Sequence, residues 1–209
     1  MKPIVFDSWM VDSIRKGFKT QARRPIKGVE NLDVFRVEPA EDAYDTRGEW
    51  DFFYEEKVDK DMVKFSIQSV KAPCAIGDVL YVREQWYKDV SRYMYRADYH
   101  EKEHFYHDGK EIQMHWESAI HMPKEAARFF LKVKEVRPER LQSIDIDGFR
   151  AEGFTSMGAF FGDIDMAFFE WKAHWDSKLR RSELQSFGWD ANPWVWRIEF
   201  ERCDKSEIT

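Results

Sequence analysis

Lys2 to Phe6 is a short apolar run that predicts a strand. A helical rhythm replaces it at once: Asp7 or Ser8 caps a helix on which Met10, Val11, Ile14 and Phe18 recur, with Gly17 as its stop. From Val29 to Ala72 no period lasts. Acidic residues such as Glu38, Glu41, Asp42 and Asp45 alternate there with Trp50, Phe52, Phe53 and Tyr54, which predicts an insertion of one or two hairpins. Gly77 and Asp78 make a turn before VLYVREQW, where Val79, Tyr81 and Arg83 alternate with Leu80, Val82 and Glu84 as in a strand. Tyr93 to Ala97 predicts a partner strand.

Asp98 to Gly109 is polar and His-bearing and closes on an Asp108-Gly109 turn signal. WESAIHMP, residues 116–123, reads as an ordered loop, and Pro123 opens a short helical turn. Phe129 to Val136 predicts another strand. Ser143 to Glu152 predicts a short helix stopped by Gly153, with Ser143, Asp145 and Asp147 as helix-start chemistry. Asp163 to Leu179 predicts a longer helix whose stripe of Ile164, Ala167, Phe168, Trp171 and Trp175 reads as core packing. Trp194 to Phe200 alternates cleanly as the last strand. Strands separated by short helices, without βαβ regularity, predict an α+β fold built on a mixed, mainly antiparallel sheet or small β-barrel with rim helices. At this length a single domain, 1–209, with a variable insertion at about 29–72 is as expected as two domains.

With 209 residues the chain can bury a real core, and its 9 Trp, 17 Phe and 8 Tyr make that core aromatic. No apolar run approaches the roughly 20 residues that span a bilayer, and MKPIVF runs into Asp7 without a signal-peptide core. Cys74 and Cys203 are the only cysteines, so neither a disulfide framework nor a CxxC zinc site is expected, and a reducing cytoplasm is the expected location. A net charge of -6 argues against non-specific coating of nucleic acid but permits a focused basic groove.

Such a groove has a candidate. Between Asp12 and Glu30 there is no acidic residue, while Arg15, Lys16, Lys19, Arg23, Arg24 and Lys27 all fall inside. A local basic site on an acidic protein suggests an anionic partner. Arg15 and Lys16 could equally complement the C-terminus of the first helix. Pro25 biases Arg24 away from the helical region, so the run continues in an extended segment.

Trp86 and Trp116 are candidate stacking platforms by position, since base–aromatic stacking contributes about 1–3 kcal/mol per base. Arg96 could pair with Asp98 or contact phosphate. His100, His104 and His107 could face a zinc ion on a helix, but their flanks suit a hairpin with solvated histidines better. No glycine-rich phosphate loop, GxSxG elbow or carboxylate cluster with metal spacing is present, so neither cofactor nor metal is expected.

KTQARRP, GDVLYVREQW, YRAD, WESAIHMP, VRPERLQSI, RAEGF and WDANPWVWRIEFERC stand in an order that resembles the ASCH-domain proteins of bacteriophages and prophages, within the PUA-like superfamily. The resemblance implies a PUA-like β-barrel with a cleft beside the first helix and a habit of binding RNA or modified nucleobases. The cleft would be lined by Lys19, Arg23, Arg24, Arg83, Glu84 and Trp86. Some small ASCH proteins are amidohydrolases that deacylate N4-acetylcytidine with a Lys, a Thr three residues later, and a Glu just before a helix-ending Gly. Lys19 and Glu152 match the Lys and Glu; the Thr position is Ala22. A methyl group cannot attack a carbonyl, so the nucleophile is missing. Thr20 or an activated water could substitute.

The leading expectation is therefore a cytoplasmic, phage-type module binding RNA or a modified nucleobase or nucleoside. Lys19, Arg23 and Arg24 would contact phosphate or a carbonyl edge, Trp86 would stack, and Glu84 or Glu152 would accept from an exocyclic amine. The alternatives are a hydrolase or nuclease using Lys19 and Glu152, and a protein-interaction module using the aromatic insertion around Trp50 to Tyr54.

Overall fold

The computed structural model describes residues 1–40, 48–59, 62–90, 92–99, 105–107, 110–112, 114–154, 158 and 161–207. His100, His104 and the Asp108-Gly109 turn signal lie outside them. The first strand, β1 (Lys2–Val5), and helix α1 (Ser8–Arg15) form as the pattern predicts, and Gly17 turns the chain at φ +79°. Phe18, counted on the helical stripe, lies beyond the helix and is exposed.

The chain returns as β2 (Gln21–Pro25), then builds a separate antiparallel meander of β3 (Asp33–Pro39), β4 (Glu49–Asp59) and β5 (Met62–Lys71). Two hairpins thus account for the insertion. It is anchored to the rest of the protein by Phe52, fully buried edge-on against Trp194 and Trp196 at 5.6 and 6.5 Å between ring centroids. Its outward side leaves Phe35, Phe65 and Ile67 exposed.

The strand expected over 79–86 is broken in two. β6 (Val79–Arg83) stays in the main sheet, whereas β7 (Trp86–Lys88) leaves it to pair with β8 (Tyr93–Tyr95). A short pair, β9 (Phe105–His107) and β10 (Lys110–Ile112), follows. β11 (Phe130–Arg140), helices α2 (Ile146–Ala151), α3 (Ile164–Ser177) and α4 (Leu184–Phe187), and β12 (Trp194–Cys203) complete the chain.

The principal sheet runs β1-β6-β11-β12-β2. Only β1–β6 is parallel. The fold is accordingly α+β with mainly antiparallel pairing. Among the described residues β1 and β2 are its open edges and do not pair to close a barrel.

β12 sits between β11 and β2, and its alternation divides the interior. Trp196, Ile198 and Phe200 join Phe6, Val11, Ile14 and Ala22 in one core. Val195 points the other way, into a second core made by Phe149 of α2, by Ala167, Trp171 and Trp175 of α3, and by Trp189. No helix among the described residues is long and apolar enough to cross a membrane.

Candidate functional site

The basic run splits by partner. Arg15 and Lys16 both pair with Asp12 on the surface of α1. Lys19 and Arg23, by contrast, go inward. Phe18 and Lys19 donate their backbone N–H groups to the carbonyl of Ser13, and Thr20 N–H donates to Ala151 O at 2.8 Å, so the segment is tied to the ends of both α1 and α2. The helix expected from Ser143 begins at Ile146 instead, after a 3-10 turn over Leu141–Ser143, and Asp145 caps α2 by accepting from Gly148 N–H at 2.7 Å. Gly153 ends the helix at φ +75°, and a Cβ there would lie 2.7 Å from the Ser13 side chain and 2.9 Å from that of Lys19. Only glycine permits this approach, which sets Glu152 directly beside Lys19.

The Lys19 ammonium donates to Glu152 Oε2 at 2.8 Å, to the Glu152 carbonyl at 2.8 Å and to the Gln21 carbonyl at 2.7 Å. Three acceptors match the three protons of an ammonium group, so Lys19 is held charged although its side chain is wholly shielded from solvent. Arg23 Nη1 donates to Glu152 Oε1 at 3.1 Å, while its Nε and Nη2 hold Glu139 at 2.8 and 2.7 Å. Burial pulls the Lys19 pKa down, and the Glu152 carboxylate only partly offsets this. Burial pushes Glu152 up, but Lys19 and Arg23 outweigh it and the net direction is down. Lys19 and Glu152 therefore form a structural ion pair, and Lys19 has no proton left to offer a ligand.

Arg24 differs. It donates to the carbonyls of Arg23 and Val5, both at 2.9 Å, and stacks 5.3 Å over the Phe6 ring. Among the described residues it makes no ion pair. It lines a cavity of about 260 Å³ walled by Val5, Met10, Pro25 and Leu179, with Trp171 and Trp175 of α3 on one side and Glu152, His174 and Lys178 at its edge. The Trp171 indole N–H is buried there with no hydrogen-bond partner among the described residues. His174 sits between the rings of Trp9, Phe154 and Trp171, and burial together with the Lys178 charge lowers its pKa, favouring the neutral imidazole. The cavity thus presents the Arg24 guanidinium, the Glu152 carboxylate and an aromatic wall.

Of the expected site residues, the structure brings Arg23, Arg24 and Glu152 to this cavity, with Lys19 just behind it. The others lie elsewhere. Glu84 is buried at 1 % exposure and bound at both oxygens by Arg128, at 2.8 and 2.9 Å. Arg83 donates to the Ile120 carbonyl at 2.9 Å. Trp86 packs on Tyr93 beside the small core of Tyr81, Met122 and Phe130, and Trp116 lies 5.5 Å from the Tyr99 ring. Asp98 is taken by Arg128 and Arg15, so Arg96 has no carboxylate partner among the described residues and instead donates to the Tyr99 carbonyl. It lines a neighbouring cavity. Sequence reasoning passed over Trp171, His174, Trp175 and Lys178, because an aromatic stripe on a helix looks the same whether it closes a core or borders a cavity.

Ala22 is fully buried in the first core, opposite Ile198, and does not line the cavity. Thr20 is exposed on the surface and does not line it either. None of the described lining residues carries a hydroxyl or thiol. Ala22→Thr is accordingly expected to bury an oxygen without giving the cavity a nucleophile. It should cost about 1–3 kcal/mol of stability by denaturant titration and release no acyl group from acetylcytidine.

No family model matches the chain, and no curated protein or solved structure is significantly similar to it.

Proposed function

We propose that this chain is a nucleic-acid-binding module of the PUA-like, ASCH type, and that its α1–β2–α3 cavity holds one base or nucleoside, from RNA or chemically modified. The observation that carries the reading is Arg24: a guanidinium with no carboxylate partner among the described residues, set in a small cavity bordered by two tryptophans. Arginine's fixed fork suits a carbonyl edge or a phosphate. The volume of about 260 Å³ suits a ligand of nucleoside size better than a drug-sized one. The missing nucleophile favours binding over acyl transfer. The ordered segments that resemble ASCH proteins support the same assignment and, with it, a phage or prophage origin and a bacterial cytoplasm as the place of action.

The test is calorimetric titration with nucleosides, their N-acetylated forms, mononucleotides and short RNA over a salt series. Saturable binding is expected, weakened roughly ten- to hundredfold in Arg24→Ala, the effect of losing a charge-assisted hydrogen bond. Absence of binding to all of these, or unchanged affinity in Arg24→Ala, would overturn the proposal.

A further inference from the structure

The nucleoside-sized cavity has a neighbour. A second one, of about 450 Å³, is lined by Trp9, Gln85, Arg96 and Tyr99 and shares Asp7 and Lys178 with the first. Two contacts join residues of the two linings. Lys178 pairs with Asp7 at 2.5 Å, both side chains being about half exposed, and Trp9 meets His174 edge-on at 5.1 Å.

We infer that the ligand is a single-stranded RNA segment of at least two nucleotides, with one base in the first cavity and the adjoining phosphate and sugar in the second. This rests on the proposed function. Each cavity contains one arginine with no carboxylate partner among the described residues, Arg24 in the first and Arg96 in the second. A free nucleoside uses one of them; a chain with an internucleotide phosphate uses both. Aromatic surface is also available on each side, Trp171 and Trp175 in one and Trp9 and Tyr99 in the other. The acidic residues on the second cavity are already neutralised: Asp12 by Arg15 and Lys16, Asp7 by Lys178.

The probes are adenosine and uridine, RNA tetranucleotides of mixed sequence and their DNA counterparts, each titrated across a salt series. The RNA tetranucleotides are expected to bind at least tenfold more tightly than the nucleosides. Arg96→Ala should abolish that advantage and flatten the slope of log affinity against log salt by about 0.7 for the lost phosphate contact. Arg96→Lys should retain the slope, which separates a charge contact from a folding defect, and thermal melting of both variants checks the fold. Equal affinity for monomer and tetramer, or a tetramer advantage that survives Arg96→Ala, would overturn the two-cavity ligand while leaving the single-base reading intact. Equal or better binding of the DNA strands would overturn the assignment to RNA. No binding by any probe would sink the proposed function and this inference with it.

Discussion

Glu152→Gln is expected to destabilise the protein by about 3–5 kcal/mol at pH 7, the cost of removing one member of a buried ion pair. For a chain of this size that is a fall of roughly 6–20 °C in melting temperature. Glu152 is only 2 % exposed and neutralises Lys19, whose ammonium has no carboxylate partner other than Glu152 among the described residues. Arg23 would keep Glu139, so the loss falls chiefly on Lys19. The pH dependence has a definite sign. Because Glu152 has a depressed pKa in the folded state, its contribution is fully present above the ordinary carboxylate value of about 4.5 and is lost as pH falls below it. The gap between parent and Glu152→Gln should therefore narrow as pH falls below about 4.5, where the parent's Glu152 takes up its proton. Replacing the pair together, as Lys19→Met with Glu152→Leu, should recover part of the loss, since no charge is then stranded. A gap below about 1 kcal/mol at pH 7 by urea titration would refute this account, being the size expected of an exposed pair.

The same residues show what was legible in the sequence and what was not. Local chemistry read well. Gly17, the Asp145 cap, the Gly77-Asp78 turn and the alternation of β12 each depend on a few neighbouring residues, and each lies where the pattern puts it. The acid-free stretch before Glu30 also led to the cavity wall. Its internal division did not follow from charge, because the fates of Lys19 and Arg23 depend on carboxylates 116 to 133 positions away. Strand alternation sets Arg23 and Arg24 on opposite faces of β2 but not what those faces meet. Glu84 is the counterpart: the resemblance to ASCH proteins put it on the cleft as an acceptor, yet β7 peels away and Arg128 covers it. Trp86, offered as a stacking platform, packs against Tyr93, while Trp171 and Trp175 lie in the core as their stripe predicts and border the cavity as well.

Arg128→Ala is expected to have an effect of similar size but in a different pH window. The Glu84 carboxylate is almost completely buried, and Arg128 binds both of its oxygens while also holding Asp98 at 2.7 Å and stacking 4.0 Å over Tyr95. Burial raises the Glu84 pKa, and the bidentate Arg128 fork only partly counters it. Without Arg128 the rise is larger. A folded carboxyl that holds its proton more tightly than the unfolded chain does loses stability as pH climbs above about 4.5, the reverse of the sign at Glu152. Arg128→Ala should therefore cost about 3–5 kcal/mol at pH 8, where Glu84 is ionised in the unfolded chain. At pH 5 most of that should return, as Glu84 takes up a proton. Urea titrations of parent and variant at both values measure the difference. Glu84→Leu in the Arg128→Ala background should remove the pH dependence altogether, because it deletes the group that titrates. If the variant's deficit were the same at pH 5 and pH 8, the loss would lie in packing on Tyr95 and not in a stranded carboxylate.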